Sequence, residues 1–151
     1  MKTFIISILI MALTPNLFSQ KERINCIIFI DGKLPTGIYD EYFSYTDSSG
    51  NKSKINFDYM IGEIKLSSKN KKTLCLLGLD AEIEINFSYK KYNSSIYNYS
   101  GIIKVAFLNY DYLVIRITNL NKRTDEYYFG YSTPGETTKF IKQEYNMFED
   151  F

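Results

Sequence analysis

The chain has no histidine and no tryptophan among its 151 residues. Histidine is the commonest general base and the commonest metal ligand. Its absence excludes Ser-His-Asp and Cys-His hydrolases and the usual catalytic zinc sites. There are two cysteines, Cys26 and Cys75, too few for a structural zinc site. No Gly-rich phosphate cradle and no Gly-x-Ser-x-Gly elbow occurs. The nearest approach, Gly130-Tyr131-Ser132-Thr133-Pro134-Gly135, has the wrong spacing. Neither a cofactor nor a metal is expected from these residues.

A long hydrophobic run is also missing. Met1-Lys2-Thr3 is followed by the apolar stretch from Phe4 to Leu13, which Thr14-Pro15-Asn16 stops. A spanning helix needs about 20 apolar residues, and this run has about half that number. One cation, a short apolar core and a small Ser19 have the form of a secretory leader. The segment Leu17-Phe18-Ser19-Gln20 resembles bacterial signal peptides that leave glutamine first. We therefore expect residues 1–19 to be removed and residues 20–151 to form one secreted or periplasmic domain, meeting membrane only during export.

Charge of either sign is not in excess. Lys2 leaves with the leader, so 17 of the 18 basic side chains remain against 17 acidic ones. A neutral domain is a poor nucleic-acid partner, because that affinity comes mostly from cations set against phosphates. Roughly 130 residues make one domain with a single core. An even cysteine count in an oxidising compartment predicts a Cys26–Cys75 disulfide. Each cysteine also lies in an apolar run, where a buried free thiol would fit equally.

What the sequence does have is tyrosine, phenylalanine and isoleucine, with 14 Tyr and 11 Phe. These residues suit pleated, half-buried surfaces. Strand-like runs cover 24–30, 37–46, 53–59, 61–66, 73–79, 81–89, 102–108, 112–118 and 126–131, separated by turn residues. Residues 73–79 are nearly all apolar and read as a strand buried on both faces. Residues 102–108 and 112–118 read as a hairpin about Asn109-Tyr110-Asp111. Such spacing predicts an all-β fold, an antiparallel sandwich or barrel of roughly eight to ten short strands. A short C-terminal helix is expected after Thr137 or Thr138, with Ile141, Tyr145 and Phe148 at helical spacing.

Three stretches carry possible chemistry. Asp80, Glu82 and Glu84 alternate, placing carboxylates about 6.6 Å apart on one strand face. Such a row suits a glycosidase pair, a cation, or simply the wet side of an amphipathic strand. Asp47-Ser48-Ser49-Gly50-Asn51 lacks the closing Glu of a calcium loop and reads as a hairpin turn. The segment from Tyr89 to Ser100 interleaves tyrosine with Lys, Asn and Ser. Tyrosine offers large contact area at low entropy cost. The expected contact surface is therefore a loop carrying Tyr92, Tyr97 and Tyr99, rimmed by Lys90 and Lys91. The functional expectation is a secreted module that binds a glycan, a protein or a small apolar ligand without catalysis. A carboxylate-dependent glycosidase and a small outer-membrane barrel are the alternatives.

Overall fold

In the computed structural model of the protein, residues 23–90, 95–119, 126–137 and 140–144 are described. The expected leader lies outside them. The fold is all-β, built from two sheets that do not close into a barrel.

Strand β1 (Arg23–Ile30) buries Ile24, Cys26, Ile28 and Ile30 on alternate positions. It ends in a two-residue turn in which Asp31 (φ 51°) and Gly32 (φ 73°) both have positive φ. Ile30 and Lys33 exchange backbone hydrogen bonds of 2.9 and 3.0 Å across that turn, as a primed hairpin turn requires. Strands β2 (Tyr39–Thr46) and β3 (Lys52–Asn56) form a hairpin. Asp47 closes its turn, its Oδ1 accepting the Ser49 and Asn51 N–H groups at 2.8 and 2.9 Å. The Asp47 carboxylate is thus engaged by its own loop, as a plain turn uses it. Strands β4 (Asp58–Met60) and β5 (Gly62–Lys65) follow.

The next element corrects a sequence expectation. Residues 73–79 are not a strand; α1 spans Ser68–Leu77. Ser67 caps it, its hydroxyl accepting the Asn70 N–H at 3.2 Å, and Gly78 (φ 86°) ends it. Lys69, Lys71 and Lys72 are good helix formers, so the polar stretch between the expected strands 61–66 and 73–79 is the first half of the helix. A short apolar run fits helix or strand equally well. Leu74 alone on α1 is fully buried, while Leu76 is 86 % exposed.

Strands β6 (Glu82–Lys90) and β7 (Ile96–Lys104) form the longest hairpin. The chain then makes a 3₁₀ turn at Val105–Asn109, burying Val105, Phe107 and Leu108. It continues as β8 (Leu113–Asn119) and β9 (Glu126–Thr133). The hairpin expected about Asn109-Tyr110-Asp111 does not form. The 3₁₀ turn instead carries the chain from one sheet to the other. Short strands β10 (Glu136–Thr137) and β11 (Ile141–Glu144) both pair with β9. The expected C-terminal helix is therefore replaced by strand over its first part; Tyr145 and Phe148 lie outside the described residues.

One sheet runs β10-β9-β8-β1-β5-β4, with β11 also on β9; the other runs β3-β2-β6-β7. Neighbours are antiparallel except β1 and β8, which are parallel. The core holds Ile28, Leu113, Ile115 and Ile117 from the larger sheet and Phe43, Ile83, Ile85 and Phe87 from the smaller. Alternate β-branched and aromatic residues face inward, the side-chain period of a strand.

The sheets meet most closely where β7 passes β9. Gly101 has no side chain, and a Cβ there would overlap the Phe129 ring. Tyr99 and Tyr127 pack edge to face, with ring centroids 5.1 Å apart at 86°. The Tyr127 hydroxyl accepts the Ser100 N–H at 2.8 Å and donates to the Ser100 C=O at 2.9 Å. It thereby takes the place of a neighbouring strand on the outer edge of β7. Tyr59 repeats half of this device: its hydroxyl accepts the Ile28 N–H at 3.1 Å, just past the point where β5 stops pairing with β1.

Candidate functional site

The tyrosine-rich segment is not a loop over its described part. Tyr97 and Tyr99 belong to β7 and point inward with Gly101 and Ile103, while Ile96, Asn98, Ser100 and Ile102 face out. Tyr99 is 1 % exposed, packs against Phe87 and Tyr127, and has its hydroxyl 3.4 Å from the Asn119 side-chain amide. That amide donates to Asp31 Oδ2 at 2.7 Å. Tyr99 is thus a core residue and offers no face to a ligand, which corrects its expected role. Tyr97 is half-buried against the same core. Lys90 is exposed at the end of β6. Lys91 and Tyr92 lie outside the described residues. The period of two is kept through Tyr97, Tyr99, Gly101 and Ile103, and the intervening polar residues disguise it.

The expected disulfide is absent: Cys26 and Cys75 are both free thiols. Cys26 is fully buried in mid-sheet, facing Gly62 on β5 and Leu113 on β8 as backbone partners. Burial alone pushes its thiol up to about 12, because a thiolate would be desolvated there. Cys75 sits half-buried on α1. Cys26 stands on β1, and Cys75 on the helix that replaces the expected strand.

The carboxylate row divides. Asp80 lies in the turn before β6, while Glu82 and Glu84 stand on its outer face. Among the described residues no three His, Cys, Asp or Glu side chains converge on a metal position.

The outer face of the four-stranded sheet carries a groove of about 200 Å³. Ser44 and Thr46 come from β2, Lys52 from β3, Glu82 and Glu84 from β6, and Ile102 from β7. Register brings them together: Ser44 pairs with Glu84, Glu84 with Ile102, and Thr46 with Lys52. The Ser44 hydroxyl donates to Glu84 Oε2 at 2.9 Å and accepts from the Asn86 side-chain amide at 3.1 Å. Asn86 also donates to the Glu84 C=O at 3.0 Å and is 4 % exposed, an unusual degree of burial for an outward-facing position. Tyr42 lies at one end of the row, with the Lys54 ammonium 4.4 Å from its ring centroid. Burial, the Glu84 charge and the Asp40 charge all push the Tyr42 phenol above its usual range.

The groove thus offers two carboxylates as acceptors, one ammonium as donor, the Thr46 hydroxyl, the Ser44 hydroxyl whose proton goes to Glu84, and the half-exposed Ile102 as an apolar contact. Of these, sequence reading singled out only Glu82 and Glu84. Ser44 and Thr46 leave one trace in the sequence, the polar alternates of β2 opposite Phe43 and Tyr45. A second acidic group sits at the β2 bulge, where Asp40 has a positive φ of 52°. There burial raises the Glu41 carboxyl, against hydrogen bonds from its own and the Tyr59 backbone, and the charges of Asp58 and Asp40 add to the rise. No protein-family model, curated protein or solved structure matches the chain.

Proposed function

We propose that the protein is an exported binding module that holds a saccharide in the groove on the outer face of its four-stranded sheet. The observation that carries this is the make-up of the groove: carboxylate, hydroxyl and ammonium groups beside the exposed aliphatic side chain of Ile102. A sugar is recognised by that mixture, because its hydroxyls need both donors and acceptors and its C–H face needs apolar contact. An apolar ligand would leave those polar groups unpaired, at a cost of about 1–3 kcal/mol each. Glu82 and Glu84 are neighbours on a single strand, facing the same way. They do not flank a space from opposite sides, as hydrolysis of a glycosidic bond requires, so binding is the reading the arrangement favours.

Export rests on Lys2, the apolar run and Ser19. Mass spectrometry of the mature protein should show loss of roughly twenty residues; a product beginning at Met1 would remove export from the proposal. Binding is tested by a glycan array followed by titration calorimetry on the parent and Glu84→Gln. Loss of a hydrogen bond to a charged acceptor should weaken binding by about tenfold or more. A chain that retains no glycan, or a Glu84→Gln variant that binds like the parent, would sink the reading.

A further inference from the structure

We infer that Asn86 and Ser44 are positioning residues, which hold Glu84 so that one of its carboxylate oxygens is presented to a saccharide hydroxyl in the groove. This deepens the proposed function and rests on it.

A serine hydroxyl has one proton to donate. Here it goes to Glu84 Oε2 at 2.9 Å, and the Asn86 amide supplies the matching donor to Ser44 at 3.1 Å. The second Asn86 contact, 3.0 Å to the Glu84 C=O, ties the amide to the strand that carries the carboxylate. Three side chains from two strands thus form a directed chain, amide to hydroxyl to carboxylate. Burying an amide is costly unless its hydrogen bonds are made, and those Asn86 makes run to Ser44 and to the Glu84 backbone. A pre-set carboxylate loses less rotamer freedom when a ligand arrives.

The carboxylates sit among cations: Lys52 lines the groove, Lys54 is the β3 partner of Ser44, and Lys104 is the β7 partner of Glu82. A sugar hydroxyl would donate to the Glu84 oxygen that Ser44 leaves available.

The test uses the full mature chain, with hexasaccharides of glucose, mannose and galactose as probes. Affinities are measured by calorimetry for the parent, Ser44→Ala, Ser44→Thr, Asn86→Ala and Glu84→Gln, with circular dichroism to confirm folding. The expected pattern is binding of at least one probe. Ser44→Ala should weaken that binding by about tenfold, while Ser44→Thr, which keeps the hydroxyl on a residue that suits a strand, should restore it. A mere packing role for Ser44 would not give that rescue. If Glu84→Gln weakens binding but Ser44→Ala does not, the positioning role is overturned and the glycan reading stands. Failure of every probe to bind overturns the inference together with the reading beneath it. Should Asn86→Ala fail to fold, the Ser44 pair decides alone.

Discussion

Replacing Tyr127 by phenylalanine tests how much of the fold hangs on one hydroxyl. Tyr127 is 1 % exposed, and its ring packs edge to face on Tyr99. Phenylalanine keeps that packing and removes only the oxygen. The Ser100 N–H and C=O then lose partners at 2.8 and 2.9 Å, on a strand edge covered by β9. A covered backbone group left unpaired costs about 1–3 kcal/mol. With Ser100 itself half-buried, the pair should cost about 2–4 kcal/mol. At roughly 3 °C per kcal/mol for a chain of this size, the melting temperature should fall by ~6–12 °C. Urea unfolding followed by tyrosine fluorescence gives the free energy directly. Tyr112→Phe, at an exposed site, serves as control and should be silent.

The same hydroxyl predicts a pH dependence. Burial raises the Tyr127 phenol, with hydrogen bonds to Ser100 opposing the shift and the Glu84 charge adding to it. An acid whose folded value exceeds its unfolded value of about 10 binds more protons when folded. Its contribution is complete below pH 10 and is lost as pH rises through the folded value. The parent should therefore lose stability above about pH 10 more steeply than Tyr127→Phe. A variant within 0.5 kcal/mol of the parent at pH 7 would refute the edge-closing role, since surface substitutions fall in about that range.

Three further expectations concern packing and thiols. Gly101→Ala should destabilise by about 1–3 kcal/mol through overlap with the Phe129 ring, and adding Phe129→Leu should recover part of the loss in a double-mutant cycle. Leu74→Ala should cost about 2–5 kcal/mol, while Leu76→Lys, two residues along the same helix, should stay within about 0.5 kcal/mol; similar losses at both would mean that α1 docks by another face. Unreduced protein, denatured and treated with iodoacetamide, should take up label at both Cys26 and Cys75, whereas native protein should leave Cys26 unlabelled. A bridged product recovered without reductant would contradict the free thiols.

The strands with plain alternation were legible in the sequence. Ile83, Ile85 and Phe87 declared the inner face of β6 because nothing polar interrupts their period. In β7 the inward tyrosines are flanked by Asn98 and Ser100, and amphipathic rings look the same at a surface as in a core. Only the partner rings of Phe87 and Tyr127 decide that Tyr99 is inside. The helix was hidden for a different reason: its apolar residues are consecutive, and its capping serine sits in a run that resembles a loop. The groove was the least readable feature. Ser44 and Glu84 are 40 residues apart and meet only through strand register. No local pattern encodes that distance.

The position of β1 has a consequence for how the chain reaches this state. The first described strand lies in the middle of the larger sheet, between β5 and β8. Its turn residue Asp31 holds Asn119, 88 residues further on. A polypeptide made from its N-terminus therefore completes the hairpins β2–β3 and β4–β5 while β1 still lacks its second neighbour. Non-local pairing of this kind slows folding, because loop closure precedes the contacts that reward it. Until β8 emerges, the larger sheet cannot lock. The parallel β1–β8 ladder is the step that ends that delay.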